Sequence, residues 1–236
     1  MASIVLVAIG MWIRNRVDET PAFKKIRATQ SEKRIPIVET FKHHRREFFI
    51  AIGAKVVETS TLFFYATFSI SYMTQLGYAK TDILNIVLLS ALLAVPMMLL
   101  FGHLSDRIGR KPVFIGGAIG LIVWIFPFFW LINLHEIWAA VSAIVIGFSV
   151  VWASYGAMMG TILAEAFPAE VRYTGISLGY QIGAAVIGGP LPLIAASLLA
   201  GFSGAYWPLA TLFIICACIS ICAVRLLAEK SGQALD

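Results

Sequence analysis

Residues 102–111 read GHLSDRIGRK, with Asp106, Arg107, Arg110, Lys111, a histidine and two glycines in ten positions. Leu99–Leu100–Phe101 precedes the stretch and Val113–Phe114–Ile115 follows it. So dense a polar stretch between two hydrocarbon runs reads as a short turn joining two membrane-spanning helices. Gly102 is expected to let two helices approach and Gly109 to supply turn freedom, with Pro112 opening the next helix. Asp106 can cap or pair locally, while Arg107, Arg110 and Lys111 suit an anionic leaflet or a neighbouring carboxylate. A signal that only fixes orientation needs nothing but positive charge; an aspartate and two glycines at set places go beyond it.

Composition agrees with a membrane protein. The chain is 59% hydrophobic and 13% charged, with a mean hydropathy of +0.85, whereas soluble domains carry about 25% charged residues. The net charge of +5 does not imply nucleic acid, because the basic residues flank apolar runs instead of forming a soluble face. Spanning a bilayer as a helix takes about 20 apolar residues, and six stretches are long enough: 45–72, 83–101, 112–132, 137–160, 175–199 and 206–227. They are continuous and do not alternate, so helices are expected and not a barrel.

A shorter apolar stretch, 2–12, cannot cross alone and lacks the features of a signal peptide. Residues 1–12 are read as the truncated tail of a span, the other reading being an interfacial segment. Residues 13–44 form a basic loop, and 45–236 form a six-span unit with a C-terminal tail. Lysines and arginines crowd the segment 13–46, the stretch 102–111, position 172 and the tail at 225 and 230. The opposite loops carry only Lys80. Positive loops stay in the cytoplasm, so the loop 13–44 and the C-terminus are expected on the cytoplasmic side of a multi-pass cell-membrane protein.

Ionisable groups inside spans are costly and mark substrate or proton paths. Lys55 and Glu58 stand i, i+3 on one face of the first full span, and Glu58 lies roughly 16 Å along that helix from Glu47 at 1.5 Å per residue. Tyr65 continues the stripe. Trp152 and Tyr155 in the span 137–160, and Tyr180 and Gln181 in the span 175–199, are further candidates for a substrate and proton pathway. The alternative is a self-neutralising Lys–Glu pair and hydroxyls that hydrogen-bond between helices. Gly188–Gly189–Pro190 predicts a kink. The spans 112–132 and 206–227 are apolar nearly all round and are expected to face lipid outside the cavity. Cys216, Cys218 and Cys222 read as small hydrophobes. No metal-ligand spacing, nucleophile–base set or P-loop is present, so no metal, no cofactor, no enzyme and no ATP-driven pump is expected.

The residues Gly102, Asp106, Arg107, Gly109, Arg110 and Lys111 resemble the G-x-x-x-D-R-x-G-R-[RK] signature of the major facilitator superfamily. IRNRVDETPAF (13–23) and AEAFPAEVRYTGISLGYQIG (164–183) resemble its metabolite:proton symporters. Sugar porters depart in the seventh span, where this chain has ETSTLFFYATF (58–68), and in their P-E-T-K-G near the end, absent here. The resemblance implies an all-α integral membrane fold: the six-helix C-terminal half of a major facilitator fold, preceded by the tail of span six. Its partners would be a missing N-terminal six-span half, lipid, protons and a small-molecule substrate held between the halves near the midplane. The function implied is proton-coupled symport of a small metabolite, an organic acid, across the cytoplasmic membrane. Alternatives are a carrier of a zwitterionic osmolyte such as betaine or proline, and a non-transporting remnant or scaffold. Such a carrier must alternate between states, so Asp106, Arg110, Glu165 and Arg172 are expected to form a charged gating cluster, Asp106 or Glu165 against Arg110 or Arg172.

Overall fold

In the computed structural model of this chain, the residues described are 44–168 and 171–227. The expected tail 1–12, the loop 13–44 apart from His44, and the C-terminal tail beyond 227 lie outside them. Six helices long and apolar enough to cross a membrane appear among the described residues: α1 (Arg45–Gln75), α2 (Lys80–Ile108), α3 (Arg110–Ile132), α4 (Ile137–Ala166), α5 (Arg172–Gly201) and α6 (Trp207–Arg225). The all-helical class and the six spans read from the sequence are those observed.

The stretch 102–111 differs from its expected form. It is not a loop: residues 102–108 are the last two turns of α2, and Gly109 alone separates α2 from α3. Gly109 has φ 97°, a left-handed backbone that side chains with a Cβ rarely adopt, so the chain reverses on one residue. Pro112 then sits in the first turn of α3, where its missing N–H leaves no helical bond unmade. Gly102 does not act as expected. A methyl group there would touch nothing among the described residues, because this part of α2 lies on an exposed face.

α1 is the hub, packed against α4, α5 and α6, while α3 fills the space behind α4 and α6. Small residues permit this. A methyl on Gly53 would stand 2.8 Å from the Ala223 Cβ of α6, and one on Gly179 of α5 would stand 3.0 Å from the Ala51 Cβ. Further along α1, Phe64 is enclosed by Phe128, Phe129 and Phe213, at ring-centroid distances of 4.9, 5.7 and 4.5 Å. α1 and α4 are mostly buried; α2 and α5 are mostly exposed.

Three helices are interrupted. Phe64–Phe68 in α1 and Val145–Trp152 in α4 are wound as π-helix, a winding often found at functional sites. α5 breaks into Arg172–Gly188 and Leu191–Gly201, at the predicted Gly188–Gly189–Pro190 kink.

Candidate functional site

The two ionisable residues of α1 are both buried, Lys55 with 2% and Glu58 with 4% of its surface exposed. They form an ion pair within one helical turn. The first half of α5 closes over them. Gly183 lies flat against Lys55, whose Cβ would be 3.0 Å from a methyl at that position. Tyr180, three residues earlier on α5, places its ring centroid 3.4 Å from the Lys55 Nζ, a cation–π contact. Glu58 also accepts from the Thr59 hydroxyl at 3.2 Å.

α4 supplies the opposite wall. The Trp152 indole N–H donates to the Glu58 carbonyl at 3.2 Å. The Tyr155 hydroxyl lies 2.7 Å from Thr61 Oγ1, whose own proton reaches the Val57 carbonyl at 2.5 Å. Five sequence-predicted residues, Lys55, Glu58, Trp152, Tyr155 and Tyr180, thus converge on two turns of α1. Gln181 is exposed on α5 and has no hydrogen bond to this group. Tyr65 is fully buried, deeper in the bundle, between Phe64, Phe128 and Phe148, and its hydroxyl has no hydrogen-bond partner among the described residues.

A second polar cluster lies at the end of the bundle that carries Gly109. Arg110, at the start of α3, forms an ion pair with Glu165, near the end of α4. Lys111 donates to the Leu227 carbonyl and Arg46 to the Leu226 carbonyl at 3.4 Å. Both cations thereby serve the unpaired carbonyls and the negative dipole end of α6. Arg172 donates from Nε to the Phe167 carbonyl at 3.2 Å. Asp106 and Arg107 are exposed, and Asp106 has no partner among the described residues.

Two features escaped the sequence reading. α6 is half buried and does not simply face lipid: Ser220, fully buried, accepts from the Val57 N–H at 2.9 Å and donates to the Gly53 carbonyl at 2.8 Å. The only hint was a serine among the small residues of an apolar helix. A cavity of about 680 Å³ opens at the opposite end, floored by Phe64, Phe213 and Leu191 and edged by Thr67, Ser71 and Gln75. It carries no charged side chain, and neither Lys55 nor Glu58 lines it. Its lining joins residues of α1, α5 and α6, a juxtaposition that periodicity along one helix does not reveal. No group of three or more possible metal ligands occurs among the described residues.

Comparison with known proteins adds an independent line. The family model of the Major Facilitator Superfamily matches residues 1–189. The chain is 31% identical to the shikimate transporter of Escherichia coli over 98% of its own length and 53% of the relative's. It is 26% identical to a glycine betaine/proline/ectoine/pipecolic acid transporter of Dickeya dadantii, over 90% of the chain and 44% of the relative. It is 29% identical to an inner membrane metabolite transport protein of Escherichia coli, over 83% of the chain and 46% of that protein. The chain spans about half the length of the curated relatives it matches.

Proposed function

The chain belongs to the major facilitator superfamily of transporters, not enzymes, and on that premise we propose that it carries the coupling pair of a proton-driven carrier of small organic acids. One observation carries this reading: the buried Lys55–Glu58 pair beneath Tyr180. Removing one partner of a buried ion pair strands the other charge, at about 3–5 kcal/mol. Every 1.4 kcal/mol is a factor of about ten, so Glu58 rarely leaves Lys55 unless Lys55 receives another anion. A substrate carboxylate at Lys55 and a proton on Glu58 meet both demands together. Anion and proton are then bound as a unit, which is symport. Trp152 and Tyr155 hold the turn that carries Glu58 and contribute no charge of their own. The concentration of lysine and arginine at the Gly109 end and in 13–46 supports a cytoplasmic position for that end.

The pair also supports a second reading. A zwitterion could satisfy Lys55 with its carboxylate and Glu58 with its cationic group, in keeping with the betaine and proline named for the Dickeya relative. The test is uptake into membrane vesicles from cells expressing the gene. Glu58→Gln should abolish accumulation driven by a proton gradient while leaving substrate exchange. Unchanged proton-driven accumulation would remove Glu58 from coupling. Competition separates the two readings: an organic acid such as shikimate should compete for a carboxylate site, whereas glycine betaine should compete for the zwitterion site.

A further inference from the structure

An α-helix pairs the N–H of residue 57 with the carbonyl of residue 53. In α1 these two groups are both engaged by one side chain from another span. Ser220 Oγ accepts from Val57 at 2.9 Å and donates to Gly53 at 2.8 Å. The hydroxyl therefore bridges a single rung of the α1 ladder. Lys55 lies within that rung and Glu58 follows it by one residue.

The bridge is reached only because α6 comes very close. Gly53 has no side chain to hold α6 off, and a methyl there would stand 2.8 Å from the Ala223 Cβ. Ser220 itself is fully buried. A buried helix rung that lengthens leaves a bare N–H and a bare carbonyl, each costly in an apolar surround. With a hydroxyl able to serve both, the rung can open while both groups stay bonded, and helices bend where a side chain enters the ladder.

We propose that Ser220 is a positioning residue for the Lys55–Glu58 pair. It sets the pitch of the turn that holds the pair and lets that turn move without stranding its backbone groups. The inference rests on the coupling role given above to Lys55 and Glu58. It also places α6, an otherwise apolar helix, in the transport machinery although it touches neither substrate nor proton.

The test compares Ser220→Ala, Ser220→Thr and Ser220→Val in the same vesicles, with protein amounts matched by immunoblot. Thr keeps the hydroxyl, Val has the shape of Thr without it, and Ala adds no bulk. Proton-driven accumulation should fall at least tenfold in Ala and Val and stay within threefold of wild type in Thr. Hydrogen exchange of the purified protein gives a readout separate from transport: the Val57 amide should exchange at least tenfold faster in Ser220→Ala than in Ser220→Thr. Ala at wild-type accumulation, or Thr as low as Val, overturns the proposal. If Glu58→Gln leaves accumulation intact, the coupling reading falls; the exchange difference at Val57 then still decides whether the bridge exists.

Discussion

A methyl group placed on Gly147 would stand 2.6 Å from the hydroxyl oxygen of Tyr65. The two residues come from different spans, and each sits in a π-helical segment. The ring fills the space Gly147 leaves, yet its hydroxyl ends without a partner among the described residues. An unsatisfied buried hydroxyl costs about 1–3 kcal/mol. Tyr65→Phe should therefore raise the thermal unfolding midpoint in detergent, whereas Gly147→Ala should lower it through overpacking, by about 1–3 kcal/mol. A lower midpoint in Tyr65→Phe would mean that the hydroxyl is bonded after all.

The Thr61–Tyr155 contact predicts an asymmetry. Thr61 keeps the Val57 carbonyl as a partner when Tyr155 loses its hydroxyl, so Tyr155→Phe should cost about 0.5–1.5 kcal/mol, the worth of one ordinary hydrogen bond. Thr61→Val instead leaves the Tyr155 hydroxyl buried and bare, at about 1–3 kcal/mol. Denaturation in mixed micelles would rank the two variants, and the reverse order would contradict the geometry.

The Gly109 end yields a contrast between two carboxylates. Asp106 is exposed, and Asp106→Asn should change stability by less than about 0.5 kcal/mol. Glu165 is paired with Arg110 and mostly covered; Glu165→Gln should cost more, and the charge swap Arg110→Glu with Glu165→Arg should recover part of the loss. For gating, cysteines placed beside the Arg110–Glu165 pair at the Gly109 end of the bundle should react faster in Glu165→Gln than in wild type. Equal labelling would confine the ion pair to structure.

The opposite end should show a pH dependence. Tyr78, in the turn between α1 and α2, donates to the Ile132 carbonyl at 2.9 Å. Burial, and next the charge of Glu136, raise its pKa above the ordinary value of 10.0. The folded state thus favours the protonated phenol. Its contribution is complete below about pH 10 and is lost as pH rises through the higher folded value. The difference in unfolding midpoint between wild type and Tyr78→Phe should be constant up to pH 10 and shrink above it.

Legibility in the sequence followed the range of the interactions. Each span is a property of some 20 consecutive residues, so hydropathy located all six, and a Gly188–Gly189–Pro190 run announced its own break. Lys55 and Glu58 stood out because a charge in a hydrocarbon stretch needs a reason. The helical character of 102–108 was obscured by its polarity, although only Gly109 has a backbone that a helix cannot accommodate. Gly102 was misjudged because close approach depends on what faces a glycine, which its own sequence does not state. Ser220 and the cavity were hidden for the same reason: one needs a neighbour 163 positions away, the other side chains from three separate spans.

The bond between Val57 and Ser220 also fixes an order of events during synthesis. α1 leaves the ribosome before α6, and its charged turn enters the membrane while the hydroxyl that will serve Gly53 and Val57 has not yet been translated. Until then the turn must rely on its own ladder and on the mutual neutralisation of Lys55 and Glu58. Nascent chains halted before residue 220 would thus hold α1 in a looser and more extractable state than the finished bundle. A helix made later thus completes a turn of one made earlier, by supplying the Ser220 hydroxyl to Gly53 and Val57.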